Sequence, residues 1–127
     1  NISAKAVLYK RGGKKEVETT KARKAQKIKV SFSLSENKIA QSGEKSVYVR
    51  VMTPDGKEMA KEYNDIYKFT FNGSNGYYAG KTELNYANTE ISGVIFCEGN
   101  GEMVSGNYMI EITCDGAVIG NTTLKLD

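Results

Sequence analysis

The C-terminal stretch Ser105–Asp127 limits the possible folds of this chain more than any other part of its sequence. Inward-facing residues stand at every second position from Tyr108 to Cys114, which is the period of a strand with one buried face. Asp115-Gly116 follows, a dipeptide that accepts the positive φ angles of a two-residue turn. The chain then returns through Ala117, Val118, Ile119, Leu124 and Leu126. We therefore predict a β-hairpin at the end of an all-β domain.

Further segments show the same two-residue period or a short apolar run. We predict strands at Ala4–Arg11, Lys14–Thr20, Lys27–Ser35, Lys45–Thr53, Lys57–Tyr63, Tyr67–Phe71, Lys81–Tyr86 and Val94–Cys97. Turns are marked by Gly12-Gly13, Thr53–Gly56, Asn72-Gly73, Asn75-Gly76 and Gly99–Gly101. Turn signals every ~8–12 residues without a helical period are typical of a sandwich. The prediction is an all-β fold, an immunoglobulin-like antiparallel β-sandwich of about seven to nine strands.

The alternation also predicts which side chains fill the space between the two sheets, because residues two apart on a strand share a face. The expected inward residues are Ile28, Val30, Phe32, Leu34, Val47, Val49, Val51, Thr82, Leu84 and Tyr86, with Ile39 turned inward from a connection. Tyr108 opens the penultimate strand. Immunoglobulin-like sandwiches often place a tyrosine there whose hydroxyl bonds back to the preceding corner. An ordinary interior tyrosine is the alternative interpretation.

The length of 127 residues predicts a single domain spanning residues 1–127. Residues 1–26 are expected to form a basic edge hairpin or loop that leads into the core strands. Lys21–Lys27 fits a helical turn, a loop or an early start of the next strand. No apolar run approaches the ~18 residues of a membrane-spanning helix, and no signal peptide opens the sequence. Since the chain begins at Asn1 rather than Met, it resembles a trimmed fragment, and the absence of a leader or anchor from it is uninformative.

Positive charge is concentrated near the N-terminus. Between Lys10 and Lys29 lie nine basic and two acidic residues, a net charge of +7, so the remainder carries −4 of the total +3. Such a segment suggests an anionic partner, namely lipid headgroups, polysaccharide, nucleic acid or a protein. A solvated edge strand protected by lysines is the alternative. The candidate residues for an anionic partner are Lys10, Arg11, Lys14, Lys15, Lys21, Arg23 and Lys24.

The composition argues against catalysis and against a bound metal. The absence of histidine removes the Ser-His-Asp and Cys-His arrangements as well as the commonest zinc ligand. Cys97 and Cys114 form no CxxC pair; either a disulfide near the strand ends or buried thiols would suit them. The glycine-rich Gly99–Glu102 is not followed by a helix, which phosphate-binding loops require. We predict no enzyme activity, no cofactor and no metal.

Tyr77 and Tyr78 form a second candidate site. They are adjacent in a stretch flanked by glycines, and a loop there would expose at least one ring. An exposed ring could stack on a sugar or on a protein. The chain has no tryptophan, the preferred platform for sugars, which weakens the carbohydrate hypothesis. Tyrosines that simply cover the end of a sandwich are the alternative.

Three stretches, Thr19–Ala40, Gly43–Gly56 and Gly106–Gly120, together resemble a family of Bacteroidetes envelope proteins. Members are sometimes labelled as chromosome partition or segregation proteins. In that family an N-terminal membrane helix and a coiled-coil stalk precede a C-terminal β-sandwich. The resemblance implies a domain at the tip of an anchored stalk in the cell envelope or periplasm, oligomerised through the upstream coiled coil. It implies no catalytic residues.

Three functional hypotheses follow. The first is a non-catalytic interaction module at the tip of such a stalk, whose partner is a protein or an anionic envelope component. The second is a carbohydrate-binding or enzyme-accessory domain that uses Tyr77 and Tyr78. The third is binding of nucleic acid or another anionic surface through residues 10–29. Nucleic acid is disfavoured because no aromatic residue lies between Lys14 and Lys29 to stack on a base.

Overall fold

The computed structural model of the protein describes residues 1–34, 42–87 and 90–127. Within these residues the chain forms ten strands: β1 (Ile2–Lys10), β2 (Lys15–Thr19), β3 (Lys27–Leu34), β4 (Gly43–Met52), β5 (Lys68–Phe71), β6 (Ser74–Tyr77), β7 (Gly80–Tyr86), β8 (Ile91–Cys97), β9 (Gly106–Cys114) and β10 (Ala117–Leu126). Two short 3₁₀ turns cover Ala22–Lys24 and Asp65–Tyr67. The described part of the chain is thus almost entirely β, as predicted.

Eight of these strands form two antiparallel sheets that pack face to face. The first has the order β2-β1-β3-β8 and the second the order β10-β9-β4-β7. The sets β1-β3-β8 and β10-β9-β4 match the ABE and GFC strands of immunoglobulin-like domains, with β7 added beside β4. The prediction of an immunoglobulin-like antiparallel sandwich is therefore confirmed. The remaining pair, β5 and β6, forms a separate hairpin.

The predicted C-terminal hairpin is confirmed in its turn and in its register. Asp115 and Gly116 have φ angles of 53° and 79°, and Ala117 lies opposite Cys114. One irregularity was not predicted, a shift of register between Val118 and Gly120. Such bulges bend a strand and increase its twist. Gly120 also lies so close to Ile2 that a Cβ there would overlap the isoleucine side chain, so the glycine at this position allows β10 to approach β1.

The core lies between the two sheets and consists of the residues that the alternation predicted. Of the inward side chains predicted on β3, β4 and β9, all those that the structure describes are at most 3% exposed; these are Ile28, Val30, Phe32, Val47, Val49, Val51, Tyr108, Ile110, Ile112 and Cys114. On β7, Tyr86 is buried, while Thr82 and Leu84 are half-buried. The inward positions predicted for the Leu34 side chain and for Ile39 fall outside what the structure describes.

Tyr108 locks the corner before β9. Its side chain is fully buried, and its hydroxyl donates a hydrogen bond of 2.6 Å to the carbonyl oxygen of Val104, four residues earlier. Burial raises the pKa of this hydroxyl, so it remains a donor throughout the neutral range. The corner arrangement expected from the sequence is confirmed.

The strand predicted at Lys57–Tyr63 is wrong. A single bridge joins Glu58 to Met52, and the rest of the segment is irregular. Met59 and Ala60 are adjacent in sequence yet both buried, which a strand with alternating faces does not permit. The turn at Thr53–Gly56 is confirmed, because the Gly56 N–H donates to the Thr53 carbonyl oxygen at 3.0 Å.

The β5–β6 hairpin corrects a second expectation. Asn72 and Gly73 form its turn with φ angles of 47° and 76°, as predicted, but Asn75-Gly76 lies within β6 and makes no turn. Glycine is needed at position 76 because a Cβ there would come within 2.5 Å of the Phe71 ring. The hairpin packs on the outer face of the second sheet, where the rings of Phe69 and Tyr48 stack with centroids 5.1 Å apart.

The N-terminal region is partly a sheet edge and partly sheet interior. β2 is an outermost strand, as predicted for Lys14–Thr20, whereas β1 lies between β2 and β3. Their turn contains three consecutive residues with positive φ, Arg11, Gly12 and Gly13. Within Lys21–Lys27, the helical turn is the alternative that the chain adopts, as a 3₁₀ turn over Ala22–Lys24 with Ala22 buried.

Candidate interaction surface at one end of the sandwich

The β1–β2 hairpin projects from one end of the sandwich. The last residue that β1 shares with β3 is Val7, which lies opposite Lys27. From there β1 continues to Lys10 with only β2 beside it. At about 3.3 Å per residue, these three residues carry the turn about 10 Å beyond the end of the sheet.

Residues 20–26 cross the same end, at the base of the hairpin. The Asp127 N–H donates to the Thr20 carbonyl oxygen at 2.7 Å, and the Gln26 N–H donates to that of Val7 at 2.8 Å. We call this end the basic pole. Asn1 lies at the opposite end, where its backbone pairs with Ser33 near the end of β3.

The structure brings all seven sequence-predicted cations together at the basic pole. We call them the basic cluster: Lys10, Arg11, Lys14, Lys15, Lys21, Arg23 and Lys24. Each of them is exposed. Within the part of the chain that the structure describes, none of the seven forms an ion pair. The basic cluster is therefore an uncompensated positive surface.

Lys27 and Lys29, the other two cations of the segment, are compensated. Lys27 Nζ lies 2.9 Å from Glu98 Oε1, and Lys29 Nζ lies 2.8 Å from Glu16 Oε2. The hydrogen bond to Glu98 raises the pKa of Lys27, and the hydrogen bond from Lys29 lowers the pKa of Glu16. These two lysines stabilise the outer face of the first sheet and add little net charge to the basic pole.

Aromatic rings lie beside these paired lysines. The local sequence did not predict these contacts, because the rings come from neighbouring strands. Phe96 on β8 stands directly opposite Lys29 on β3, and its ring centroid is 5.6 Å from Lys29 Nζ and 5.8 Å from Lys27 Nζ. Lys27 Nζ also lies 5.5 Å from the centroid of the Tyr9 ring. No aromatic residue lies between Lys14 and Lys29 along the chain, whereas strand pairing places the Phe96 ring beside these lysines from across the sheet.

Tyr77 and Tyr78 do not form the exposed loop that was expected. Tyr77 is the last residue of β6, and both side chains are half-buried. The Tyr78 hydroxyl donates to the Ile66 carbonyl oxygen at 3.1 Å, and its ring contacts those of Tyr48, Tyr67 and Phe69. Tyr77 packs edge to face against Tyr63 at 5.2 Å. The pair belongs to an aromatic cluster that fixes the β5–β6 hairpin to the sandwich.

A charged network that the sequence did not predict fixes the same hairpin. Arg50 Nε donates to Glu58 Oε2 at 2.6 Å, and Arg50 Nη1 donates to Glu111 Oε1 at 2.9 Å. The guanidinium also lies 4.7 Å from the centroid of the Phe71 ring. Glu58 Oε2 further accepts the Tyr77 N–H at 3.2 Å. Because its Nε and Nη1 groups are bound to two carboxylates, Arg50 has a structural role rather than that of a free anion-binding group.

A cleft of about 360 Å³ opens at the end of the sandwich that carries the β8–β9 loop. Its walls are the turn after β4, the half-exposed Tyr63 ring and residues 99–104. Met103 lines this cleft and also a neighbouring groove that reaches Lys21 and Arg23. We call the 360 Å³ cleft, which Tyr63 lines, the Tyr63 cleft.

The two cysteines are free and buried, so the buried-thiol interpretation is confirmed and no disulfide joins them. Burial raises the pKa of Cys97 to about 12 and also raises that of Cys114. The thiolate is the reactive form of cysteine. Both thiols are therefore protonated and shielded at neutral pH.

We expect neither cysteine to react with iodoacetamide in the native protein at pH 8. At that pH, four units below its pKa, about one Cys97 thiol in 10⁴ is ionised. Mass spectrometry after a timed incubation should show unmodified protein, while the same incubation in guanidinium chloride should label both positions. Rapid native labelling of Cys97 would contradict the buried placement.

Among the residues that the structure describes, no group of three or more Cys, Asp or Glu side chains is arranged to hold a metal ion. These same residues include no helix that is long and apolar enough to cross a bilayer.

The fold and this surface define an immunoglobulin-like β-sandwich domain with one uncompensated basic end. The model of the family described as Domain of unknown function (DUF8428) matches residues 1–127, and the chain belongs to this family. No curated protein sequence matches the chain. Among solved structures, it is similar to Pseudomonas fluorescens alkylpurine DNA glycosylase AlkC bound to DNA containing an abasic site analog, with a TM-score of 0.49 and 10% identity over 98% of this chain. The chain spans 30% of the length of that structure.

Proposed function

We propose that this domain is a non-catalytic interaction module that binds an anionic partner through its basic pole. The observation that carries the proposal is the contrast within one segment: Lys27 and Lys29 are paired with carboxylates, while the seven residues of the basic cluster have no ion-pair partner in the described chain. An uncompensated patch attracts anions over several ångströms and raises their association rate. The absence of histidine and the burial of both thiols support a non-catalytic role.

The geometry also supports display of the basic pole away from an upstream attachment. Asn1 and the basic cluster lie at opposite ends of the sandwich. A stalk joined at Asn1, as proposed from the family resemblance, would therefore leave the seven cations pointing outward. In this arrangement the partner is an anionic component of the cell envelope or an acidic protein. Fractionation of the full-length protein between membrane and soluble fractions tests the anchoring.

Charge reversal at the hairpin turn tests the binding proposal. We expect the double variant Arg11→Glu/Lys14→Glu to bind a polyanion at least about tenfold more weakly than the native domain, because it reverses two of seven unpaired cations. Binding of the native domain should weaken steeply as salt rises, since its attraction is screened. Suitable probes are vesicles with phosphatidylglycerol, polygalacturonate and a duplex oligonucleotide, which also distinguish lipid, polysaccharide and nucleic acid.

Lys68→Glu/Lys81→Glu is the matched control, because it changes the net charge by the same amount at exposed positions whose ion pairs are of the weak surface kind. It should retain most of the binding. Equal losses in the two double variants would show that net charge alone is responsible and would reject the basic pole as a site. Absence of binding to all three probes at low salt would also reject the basic pole as a binding site.

A further inference from the structure

We propose that the Tyr63 cleft binds an uncharged pyranose unit of a glycan. The cleft is lined by none of the seven residues of the basic cluster, although Met103 also lines the neighbouring groove that reaches Lys21 and Arg23. Its volume of about 360 Å³ falls in the usual range of small-molecule sites, about 300–1,000 Å³. Three properties of its lining, namely a fixed aromatic ring, unpaired backbone donors and ionised acceptors, point to this class of ligand.

The aromatic wall is a single ring held in place. The Tyr63 side chain is 50% exposed, yet its hydroxyl donates to the Glu58 carbonyl oxygen at 2.6 Å. Its ring also contacts Tyr77 at 5.2 Å with an interplanar angle of 84°. A ring fixed in this way loses little conformational entropy when a ligand stacks on it. The C–H face of a pyranose is the natural complement of such a platform.

The β8–β9 loop, which also lines the cleft, offers unpaired backbone groups. Within the described part of the chain, the backbone N–H groups of residues 99–103 donate no hydrogen bond. Gly101 has a φ of +110°, a conformation that side chains rarely adopt, so the loop keeps its backbone accessible. Unpaired donors in the backbone that lines a cleft are available to hydrogen-bond acceptors of a ligand, such as sugar hydroxyl oxygens.

The charged lining provides acceptors and excludes acidic sugars. Asp55 and Glu102 line the cleft against one cation, Lys57, so its net charge is negative. A hydrogen bond from the Thr53 hydroxyl lowers the pKa of Asp55, which keeps this carboxylate ionised at neutral pH. Each sugar hydroxyl both donates and accepts, and therefore suits a site that offers carboxylates beside free N–H groups. Because the cleft lining carries a net negative charge, we do not expect the anionic partner of the basic pole to bind in this cleft.

Titration with simple sugars, followed by amide NMR, tests the inference. The probes are methyl α-glucopyranoside, methyl α-mannopyranoside, methyl β-galactopyranoside and N-acetylglucosamine, each up to about 20 mM, well above a millimolar Kd. At least one should shift the amide resonances of Gly99, Asn100 and Gly101. Tyr63→Ala should raise its Kd at least about tenfold, and Tyr63→Phe, which keeps the ring, by no more than about threefold.

Two further variants make the result decisive. Ile66→Ala removes a side chain that is 72% exposed but does not line the cleft, so it should leave the Kd unchanged. Asn100→Ala removes an exposed amide at the cleft wall and should weaken binding even if Tyr63→Ala fails to fold. Absence of shifts in residues 99–101 with all four sugars, or an unchanged Kd in both Tyr63→Ala and Asn100→Ala, would overturn the proposal. Neither outcome would affect the polyanion test, which depends on other residues.

Discussion

Ile110→Ala is expected to lower the free energy of unfolding by about 2–5 kcal/mol, the usual cost of truncating a buried branched aliphatic side chain to alanine. Ile110 is fully buried on β9, where it lies opposite Val51 on β4 and Thr122 on β10. The residues beside Ile110 are held by strand pairing on both sides of β9. They can therefore move only partly into the cavity that truncation of Ile110 would leave. Urea denaturation followed by circular dichroism measures the change as a shift of the midpoint.

Met109→Ala is the matched control, because Met109 is the preceding residue on the same strand and is 61% exposed. Surface substitutions of this kind usually change stability by less than about 0.5 kcal/mol. The contrast between two adjacent positions tests the alternation of faces directly. Comparable losses at the two positions would mean that β9 does not present one face to the core.

Gly80→Ala is expected to destabilise the domain by about 1–3 kcal/mol through overpacking. A Cβ at Gly80 would lie 2.6 Å from the Phe96 carbonyl oxygen and 2.7 Å from Ile95 Cγ2. Replacing a strand glycine with alanine would otherwise gain about 0.5–1 kcal/mol from the unfolded state. The clash dominates because the nearest atom is the Phe96 carbonyl oxygen, which belongs to the backbone and cannot rotate away. The Glu98 N–H also donates to the Ala79 carbonyl oxygen at 3.0 Å, which holds the adjoining residues together.

The measurement is again a denaturation midpoint, with Asn85→Ala as the reference substitution on the same strand. Asn85 is exposed on β7, so its truncation should change stability by less than about 0.5 kcal/mol. A native-like or increased midpoint for Gly80→Ala would show that β7 and β8 lie further apart than described.

Features that depend on neighbouring residues could be predicted from the sequence. Asp115-Gly116 specifies its own turn, because few other dipeptides accept two positive φ angles. The core positions from Ile28 to Phe32 follow from a two-residue period that no competing helical period obscures. The hydrogen bond of Tyr108 to Val104 spans four residues and could be anticipated from the position of the tyrosine at the start of its strand.

Features that depend on distant pairing could not be predicted. Arg50 and Glu111 are 61 positions apart, and their contact exists because β4 and β9 are neighbours in the second sheet. The apolar residues Met59 and Ala60 resembled a weak strand, yet both are buried, and Met59 packs against Gly99 in the distant β8–β9 loop. A glycine after an asparagine suggested a turn at Gly76, where the true constraint is the Phe71 ring.

The candidate surface shows the same division. The composition of the segment identified its cations, since a count of charges needs no structure. It could not distinguish Lys27 and Lys29, which face Glu98 and Glu16, from the seven cations without such a partner. The role of Tyr63 was not predicted for a related reason: although its hydroxyl bonds to the nearby Glu58 carbonyl, the ring that packs against it comes from β6 and much of the facing lining from the β8–β9 loop.

The charged outer strand of the first sheet has a consequence for how copies of this domain can coexist. β2 is five residues long and carries Lys15, Glu16 and Glu18, all exposed. Short, charged border strands make poor templates for a second chain. Many such domains crowded on one surface would therefore stay separate bodies rather than merge into a continuous sheet, and each would keep its own hairpin free for a ligand.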